Sequence, residues 1–308
     1  MPRKIEYTVP AEYSNRPAIH FLREYAELSV SICKHIRNTE NALLVNGVHT
    51  RVIDKLYEGD KVEIFIPEKT KAPLLCDAPI SIIYEDEDLL IVNKPYGISV
   101  NPTRNHPNGT LCNMVASYIY NTQGVASAAR AVGRLDKVTS GVMVFAKNSY
   151  SASLLNGNMN KTYNAIVTGE LRDSGTIDAP IYRPDPRKTE RCVDPKGDKA
   201  VTHWKSLKSF NKKTFAEIKT ETGRTHQIRV HFSHIGHPLV GDDMYGGKPT
   251  NYVHRTALHC KEITMTHPVT LKTMTFTAPL PDDMKSELDE WEYLEYLQNT
   301  NFLDNTDK

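Results

Sequence analysis

Hydrophobic and polar positions along the chain change rhythm several times, and each change marks an element. Lys61-Val-Glu-Ile-Phe-Ile66 alternates with a period of two after the Gly59-Asp60 turn, the pattern of a half-buried strand. Leu43-Leu-Val45 before Asn46-Gly47 reads as a second strand ending in a turn, and His20–Leu28 and Ser31–Asn38 carry helical spacing, with Ser29 or Ser31 available as a cap. Glu68–Pro73 is polar and closes on proline, so it reads as a linker. A small module over residues 15–70 and a larger domain over 74–300 follow from that break.

In the larger domain Ser81–Tyr84, Leu89–Asn93, Val142–Lys147 and Thr162–Thr168 read as strands. Val201–Ser209 and Phe215–Thr220 form a candidate strand pair joined through Asn211-Lys-Lys213. Helical spacing covers Thr110–Tyr120, capped at Asn108 or Thr110, then Tyr150–Met159 and Gly223–Gly236; Asp282 or Asp283 caps a last helix running to about Gln298. Many strands with few βαβ repeats predict an α+β domain on a mixed or antiparallel sheet.

Composition changes this picture little. With 308 residues, 39% of them hydrophobic, the chain can bury a core unaided. No apolar run approaches the roughly 18 residues of a membrane span, and the opening residues lack the apolar stretch of a signal peptide. The five cysteines are scattered without a C-x-x-C pair, which points away from a disulfide framework or zinc ribbon. A soluble cytoplasmic monomer without membrane contact is the expectation. The net charge of +1 hides an uneven distribution. Residues 183–213 hold ten Lys/Arg against four Asp/Glu, and residues 282–308 hold nine acidic residues against two basic ones. A basic body of this kind can follow a phosphate backbone, although solvated charged faces give the same count.

Candidate chemistry begins at Gly133-Arg-Leu-Asp-Lys-Val-Thr-Ser-Gly141. Asp136 stands beside Arg134, and the apolar run Val142–Ala146 follows directly, so the acid sits on a loop braced by a buried strand. Taken alone, an Asp beside an Arg is usually a structural ion pair. The whole block, however, resembles the catalytic-aspartate motif of the RluA-type pseudouridine synthases, which convert uridine in RNA to its C-glycoside isomer. Members commonly carry histidine before R-L-D, where this chain has Gly133.

Further blocks resemble the same family in the same order. Val92-Asn-Lys-Pro-Tyr-Gly-Ile98 is similar to its N-K-P-x-G block, and Lys161-Thr-Tyr163 to its K-x-Y block. Glu221-Thr-Gly-Arg-Thr-His-Gln-Ile-Arg-Val-His231 resembles its G-R-T-H-Q-I-R motif, Gly236–Gly246 the loop after it, and Arg255-Thr-Ala-Leu-His259 its R-x-A-L-H strand. The resemblance implies Asp136 as nucleophile, with Tyr163 stacking on the uracil and handling its C5 proton. It further implies that Arg229 pairs with Asp136, that Arg134 displaces the flipped base, and that Leu258 packs against that base. Arg224 and His226, near the expected helix start, complete the implied substrate-binding set. Substrate would be structured RNA, ribosomal or transfer, with no cofactor and no metal. The helix-helix-strand-turn-strand order of residues 18–67 resembles an S4 RNA-binding domain, whose second helix here offers Lys34, His35 and Arg37.

Two rival readings come from other classes. One is a non-catalytic RNA-binding or ribosome-assembly factor that keeps the fold; intact Asp136, Tyr163 and Arg229 speak against it. The other is a metal-dependent hydrolase built on His226, His231, His234 and His237, which lack H-E-x-x-H spacing and a carboxylate within the cluster.

Overall fold

The structure, a computed structural model, describes residues 3–66, 74–104, 106–124, 130–155 and 157–303, with side chains of the last helix described to Glu292. The expected linker Glu68–Pro73 lies outside the described residues.

The small module opens with a strand that the hydrophobic pattern does not announce, β1 (Arg3–Thr8), in which only Ile5 is buried. After it come α1 (Ala18–His20), continued by a π-type turn over Phe21–Tyr25, and α2 (Val30–Arg37). Ser29 is the cap of α2: its hydroxyl accepts from Ile32 N at 3.2 Å. Then come β2 (Leu43–Val45), β3 (Val48–His49) and β4 (Lys61–Ile66). The sheet order is β1-β4-β2-β3, with every described pairing antiparallel. As alternation requires, Val62, Ile64 and Ile66 point inward, against Phe21, Leu22 and Leu28. The sheet thus takes in residues well before position 15, the expected start of the module.

The large domain is built on one sheet. Its strands are β5 (Ser81–Glu85), β6 (Leu89–Lys94), β7 (Arg130–Val132), β8 (Ser140–Ala146), β9 (Met159–Thr168), β10 (Ser174–Asp178), β11 (Ile181–Tyr182), β12 (Cys192–Val193), β13 (Val201–Phe210), β14 (Lys213–Thr220), β15 (Leu258–Thr266) and β16 (Thr273–Thr277). The order across the sheet is β10-β13-β14-β9-β15-β8-β6-β5, with β16 beside β15 and β7 beside β8, while β11 and β12 pair separately as a hairpin. Every residue of β8 is buried, which fits its unbroken apolar run at the middle of the sheet.

Two half-sheets meet at β8 and β15. Their contact is parallel and short, Ser140 opposite His259 and Gly141 opposite Cys260. Gly141 has φ +117°, and a Cβ there would lie 2.2 Å from the Cys260 carbonyl oxygen. Only glycine admits this approach.

The helices are α3 (Leu111–Gln123), α4 (Ser149–Leu155), α5 (Gln227–His234) and α6 (Asp282–Leu303). Thr110, not Asn108, caps α3 in a reciprocal box with Asn113. Two expected helices are shorter than their periodicity. Tyr150–Met159 ends at Leu155, because Gly157 has φ +86° and Met159 already pairs in β9. Gly223–Gly236 is helical only from Gln227, for a reason that belongs to the site. The acidic helix α6 folds back on the body. Met284 and Trp291 pack beside Ile166 and Val240, and buried Glu287 binds Lys213 and Trp291 Nε1.

Module and domain are joined by charge as well as by packing. Arg3 grips Asp88 through Nε and Nη2, both at 2.9 Å, and Tyr7 Oη lies 3.1 Å from Tyr150 Oη. Asp88 also accepts from Asn148 at 2.8 Å and Ser151 Oγ at 3.3 Å. Beside it, Asp86 accepts from Tyr84 Oη at 2.7 Å, His267 Nε2 at 2.9 Å and two backbone amides at 2.8 Å.

Candidate active site

The loop between β7 and β8 carries Asp136 to the mouth of a cavity of about 320 Å³. Two devices hold it. The Thr139 amide closes a turn onto the Asp136 carbonyl at 3.1 Å. Beneath the loop, Lys94 at the end of β6 is fully buried and donates to the carbonyls of Pro95 at 2.8 Å and Thr139 at 2.7 Å. Burial draws the Lys94 ammonium down to about 7, against the pull of Asp136. Gly133 has φ +74°, and a Cβ there would lie 3.1 Å from Lys161 Nζ.

Tyr163 enters from β9, on the other half-sheet. Pairing of β9 with β15 shifts register between Thr162 and Tyr163, a bulge that re-aims the side chain. Burial, with lesser contributions from Cys260 and Asp136, pushes its phenol well above 10, so the ring presents a neutral hydroxyl. Lys161, two residues earlier, lines the same cavity, and burial lowers its ammonium.

The segment before α5 is a loop rather than a helical turn. Gln227 is the cause. Its Oε1 accepts from Thr222 Oγ1 at 2.7 Å and Arg224 N at 3.0 Å, and its Nε2 donates to Val201 O at 2.9 Å. These bonds compete with helical ones and leave His226 left-handed, φ 57° and ψ 18°. His226 thereby reaches Tyr245 Oη through Nδ1 at 2.8 Å, while its Nε2 lies 3.9 Å from Asp136 Oδ2. Burial lowers the imidazole below its usual value, against the pull of Asp136.

Arg229, on the first turn of α5, has a second and closer partner besides Asp136. Its two-point partner is Asp242, with Nε and Nη2 each 2.7 Å from a carboxylate oxygen, and both side chains are buried. Nη1 remains for Asp136, at 3.7 Å. The Tyr245 ring lies under the guanidinium at 5.0 Å. Asp242 and Tyr245 join the site through these contacts, and the motifs alone do not single them out. Both stand within the quoted Gly236–Gly246 block, but their role depends on that loop folding back over α5.

All seven residues singled out from the sequence, Asp136, Tyr163, Arg229, Arg134, Arg224, His226 and Leu258, line this one cavity. Arg134 is half exposed, with Nη2 3.7 Å from Asp136 Oδ1. Leu258, at the start of β15, closes the apolar side. The histidines do not converge on one point. His231 bonds Thr202 Oγ1 and Ala179 O, His237 bonds Thr168 O, and His226 bonds Tyr245.

A carboxylate between two arginines and an imidazole, with an apolar wall and a buried phenol, suits a neutral planar base attached to an anionic backbone. The chain belongs to the RNA pseudouridylate synthase family, of the RluA type, and residues 88–234 match that family directly. It is an isomerase that converts uridine in RNA to pseudouridine. It is 40% identical over 274 residues to an uncharacterized RNA pseudouridine synthase of Bacillus subtilis, YjbO, covering 85% of this chain and 96% of the relative. It is 37% identical over 267 residues to the ribosomal large subunit pseudouridine synthase D of Escherichia coli, covering 80% and 81%. Among solved structures it resembles human RNA Pseudouridylate Synthase Domain Containing 4, with a TM-score of 0.54, 24% identity, and coverage of 66% of this chain and 89% of that one. That likeness bears on the fold.

Proposed function

We propose that Asp136 is the nucleophile that attacks the flipped uridine, in ribosomal RNA. One observation carries the reading: Asp136, Tyr163 and Arg229 come from three separate elements and line one cavity. The reaction breaks the bond between N1 and C1′, turns the uracil, and joins C5 to C1′ as the C5 proton leaves. Arg229 and Arg134 stand 3.7 Å from the Asp136 carboxylate and His226 3.9 Å, and among the described residues none of them occupies it by a hydrogen bond. Arg229 is kept from collapsing onto the nucleophile because Asp242 binds two of its nitrogens.

Tyr163 stacks on the uracil and Leu258 closes its other side. The phenol must first give its own proton to N1 of the detached uracil, which carries it in the product, and the phenolate then takes the one from C5; burial opposes that first transfer. Tyr163 therefore works first as a platform and second as a proton acceptor. Arg134, half exposed at the rim, fills the gap that the flipped base leaves, while Arg224 and His226 hold the nucleotide from the loop before α5. Base extrusion costs a few kcal/mol, of order 1–5, and these contacts offset it.

The ribosomal assignment is supported by the relatives named for the large ribosomal subunit. The module over residues 3–66 is proposed as an S4-like RNA-binding domain, since Lys34 and Arg37 on α2 face solvent. In this reading the protein acts as a cytoplasmic monomer without a cofactor.

The test is pseudouridine mapping by carbodiimide-stop sequencing in cells lacking this gene. Loss of a discrete ribosomal stop, restored by the wild-type gene and not by Asp136→Asn, is expected. Restoration by Asp136→Asn would remove the nucleophile assignment, and a lost stop in transfer RNA would redirect the substrate.

A further inference from the structure

We infer that the β11–β12 hairpin and the loop before α5 form a phosphodiester site beside the catalytic cavity, which grips the RNA backbone next to the target uridine. The inference rests on the RNA-isomerising reading above.

A second cavity, of about 470 Å³, is lined by Arg183, Arg191, Lys196 and Arg224, with Asp198 as its one acidic lining residue. Gly223, Arg224 and Thr225 line both cavities, so the two are neighbours across a single loop. A strand of RNA with its base in one has its backbone beside the other.

The arginines are held in place by carbonyls, and among the described residues Arg183 and Arg191 form no ion pair within 4 Å. Arg183 Nε donates to the Lys188 carbonyl at 2.9 Å, Arg191 Nη1 to the carbonyls of Thr189 and Glu190 at 2.6 and 2.9 Å, and Arg224 Nε to the Lys199 carbonyl at 3.1 Å. Carbonyls fix a guanidinium's orientation and leave its charge whole. Asp198 approaches only Arg224, at 3.6 Å. Burial lowers the Arg191 guanidinium, and its neighbours Arg183 and Arg134 add to that. Cations crowded this way are relieved by an anion between them. Tyr182, 36% exposed, stands on the same rim and offers a face for a neighbouring base.

The site is also tied to the reacting groups. Tyr245 Oη accepts from Arg191 N at 3.0 Å and bonds His226 Nδ1 at 2.8 Å, and His226 Nε2 faces Asp136. A phosphate on Arg191 therefore stands at a set offset from the nucleophile. The basic stretch 183–213, which the catalytic residues do not explain, acquires a task.

The experiment measures binding of fluorescein-labelled decauridylate by anisotropy across a KCl series. Each single-strand phosphate contact contributes about 0.7 to the slope of log affinity against log salt, so Arg183→Gln with Arg191→Gln is expected to flatten the slope by about 1.4. Arg183→Lys with Arg191→Lys is expected to keep the wild-type slope, which separates lost charge from lost folding. Lys248→Gln with Lys272→Gln, far from the hairpin in sequence, is expected to leave the slope unchanged. A wild-type slope in the Gln pair, or equal flattening in the control pair, overturns the proposal. Tritium release from ribosomal RNA labelled at uridine C5 reports the isomerisation separately. Its absence in the wild-type protein would remove the functional reading while leaving the slope result standing.

Discussion

Two clusters in this molecule pair carboxylates with histidine and arginine, and they are arranged to opposite ends. At the joint between module and domain, Asp86 and Asp88 have their oxygens occupied by Arg3, Asn148, Tyr84, His267 and backbone amides, nearly all at 2.7 to 2.9 Å. In the cavity, among the described residues, Asp136 has Arg134, His226 and Arg229 within 4 Å and none of them closer than 3.7 Å. The first cluster has the donor set of a metal site, since Asp86, Asp88 and His267 offer ligand atoms within 4.8 Å of one another. Those atoms are already engaged in holding two parts of the fold together. The second leaves its carboxylate oxygens without a hydrogen bond among the described residues. Proximity of ionisable groups therefore says little until their hydrogen bonds are counted.

Four measurements break or sharpen that contrast. Asp136→Asn is expected to lower kcat by a factor on the order of 10⁴ or more, with the urea midpoint nearly unchanged, since among the described residues no hydrogen bond is made to this carboxylate. Turnover within about tenfold of wild type would place Asp136 with the structural cluster instead. Asp242→Ala belongs to both classes. It leaves the buried Arg229 guanidinium unpaired, so a loss of about 3–5 kcal/mol in denaturant unfolding should accompany a fall in kcat. Stability loss alone would mean that Arg229 needs no restraint. Asp88→Ala should cost about 3 kcal/mol, a value reduced because Arg3 keeps some exposure to solvent, and kcat per folded molecule should hold. A drop in kcat there would show that the joint reaches the cavity.

The smallest effect concerns pH. Burial lowers His226, His231 and His259 below their ordinary 6.5. The unfolded chain then binds more protons than the folded one, so their contribution is complete above 6.5 and is lost as pH falls below it. The urea midpoint should fall between about pH 8 and about pH 5.5, and His226→Gln should soften that fall. A midpoint independent of pH over this range would contradict the neutral, buried state of the three rings.

What the sequence made legible depends on how far each residue acts. The seven site residues lie in compact blocks whose types and spacing survive folding, and all seven line one cavity. Strands such as β4 and β14 alternate cleanly because one face of each is buried. β1 buries a single side chain, so its place in the sheet comes from backbone pairing with β4, which leaves no mark in hydrophobicity. The helix expected over Gly223–Gly236 starts late because the Gln227 amide binds β13 and Thr222, a long-range contact that periodicity does not register. Asp242 escaped notice for a similar reason: Arg229 lies one turn into a helix thirteen residues upstream, and the loop must turn back before the two meet.

The two-residue parallel seam at Gly141 has a consequence for inheritance. Asp136 hangs from one half-sheet and Tyr163 from the other, and the halves meet where no side chain fits. A survey of variants of this gene should therefore find Gly141→Ala among the inactivating changes, although the residue touches no substrate. A single added methyl would spread the cleft from behind, and such an allele would look unexplained to anyone scoring only the residues that line the cavity.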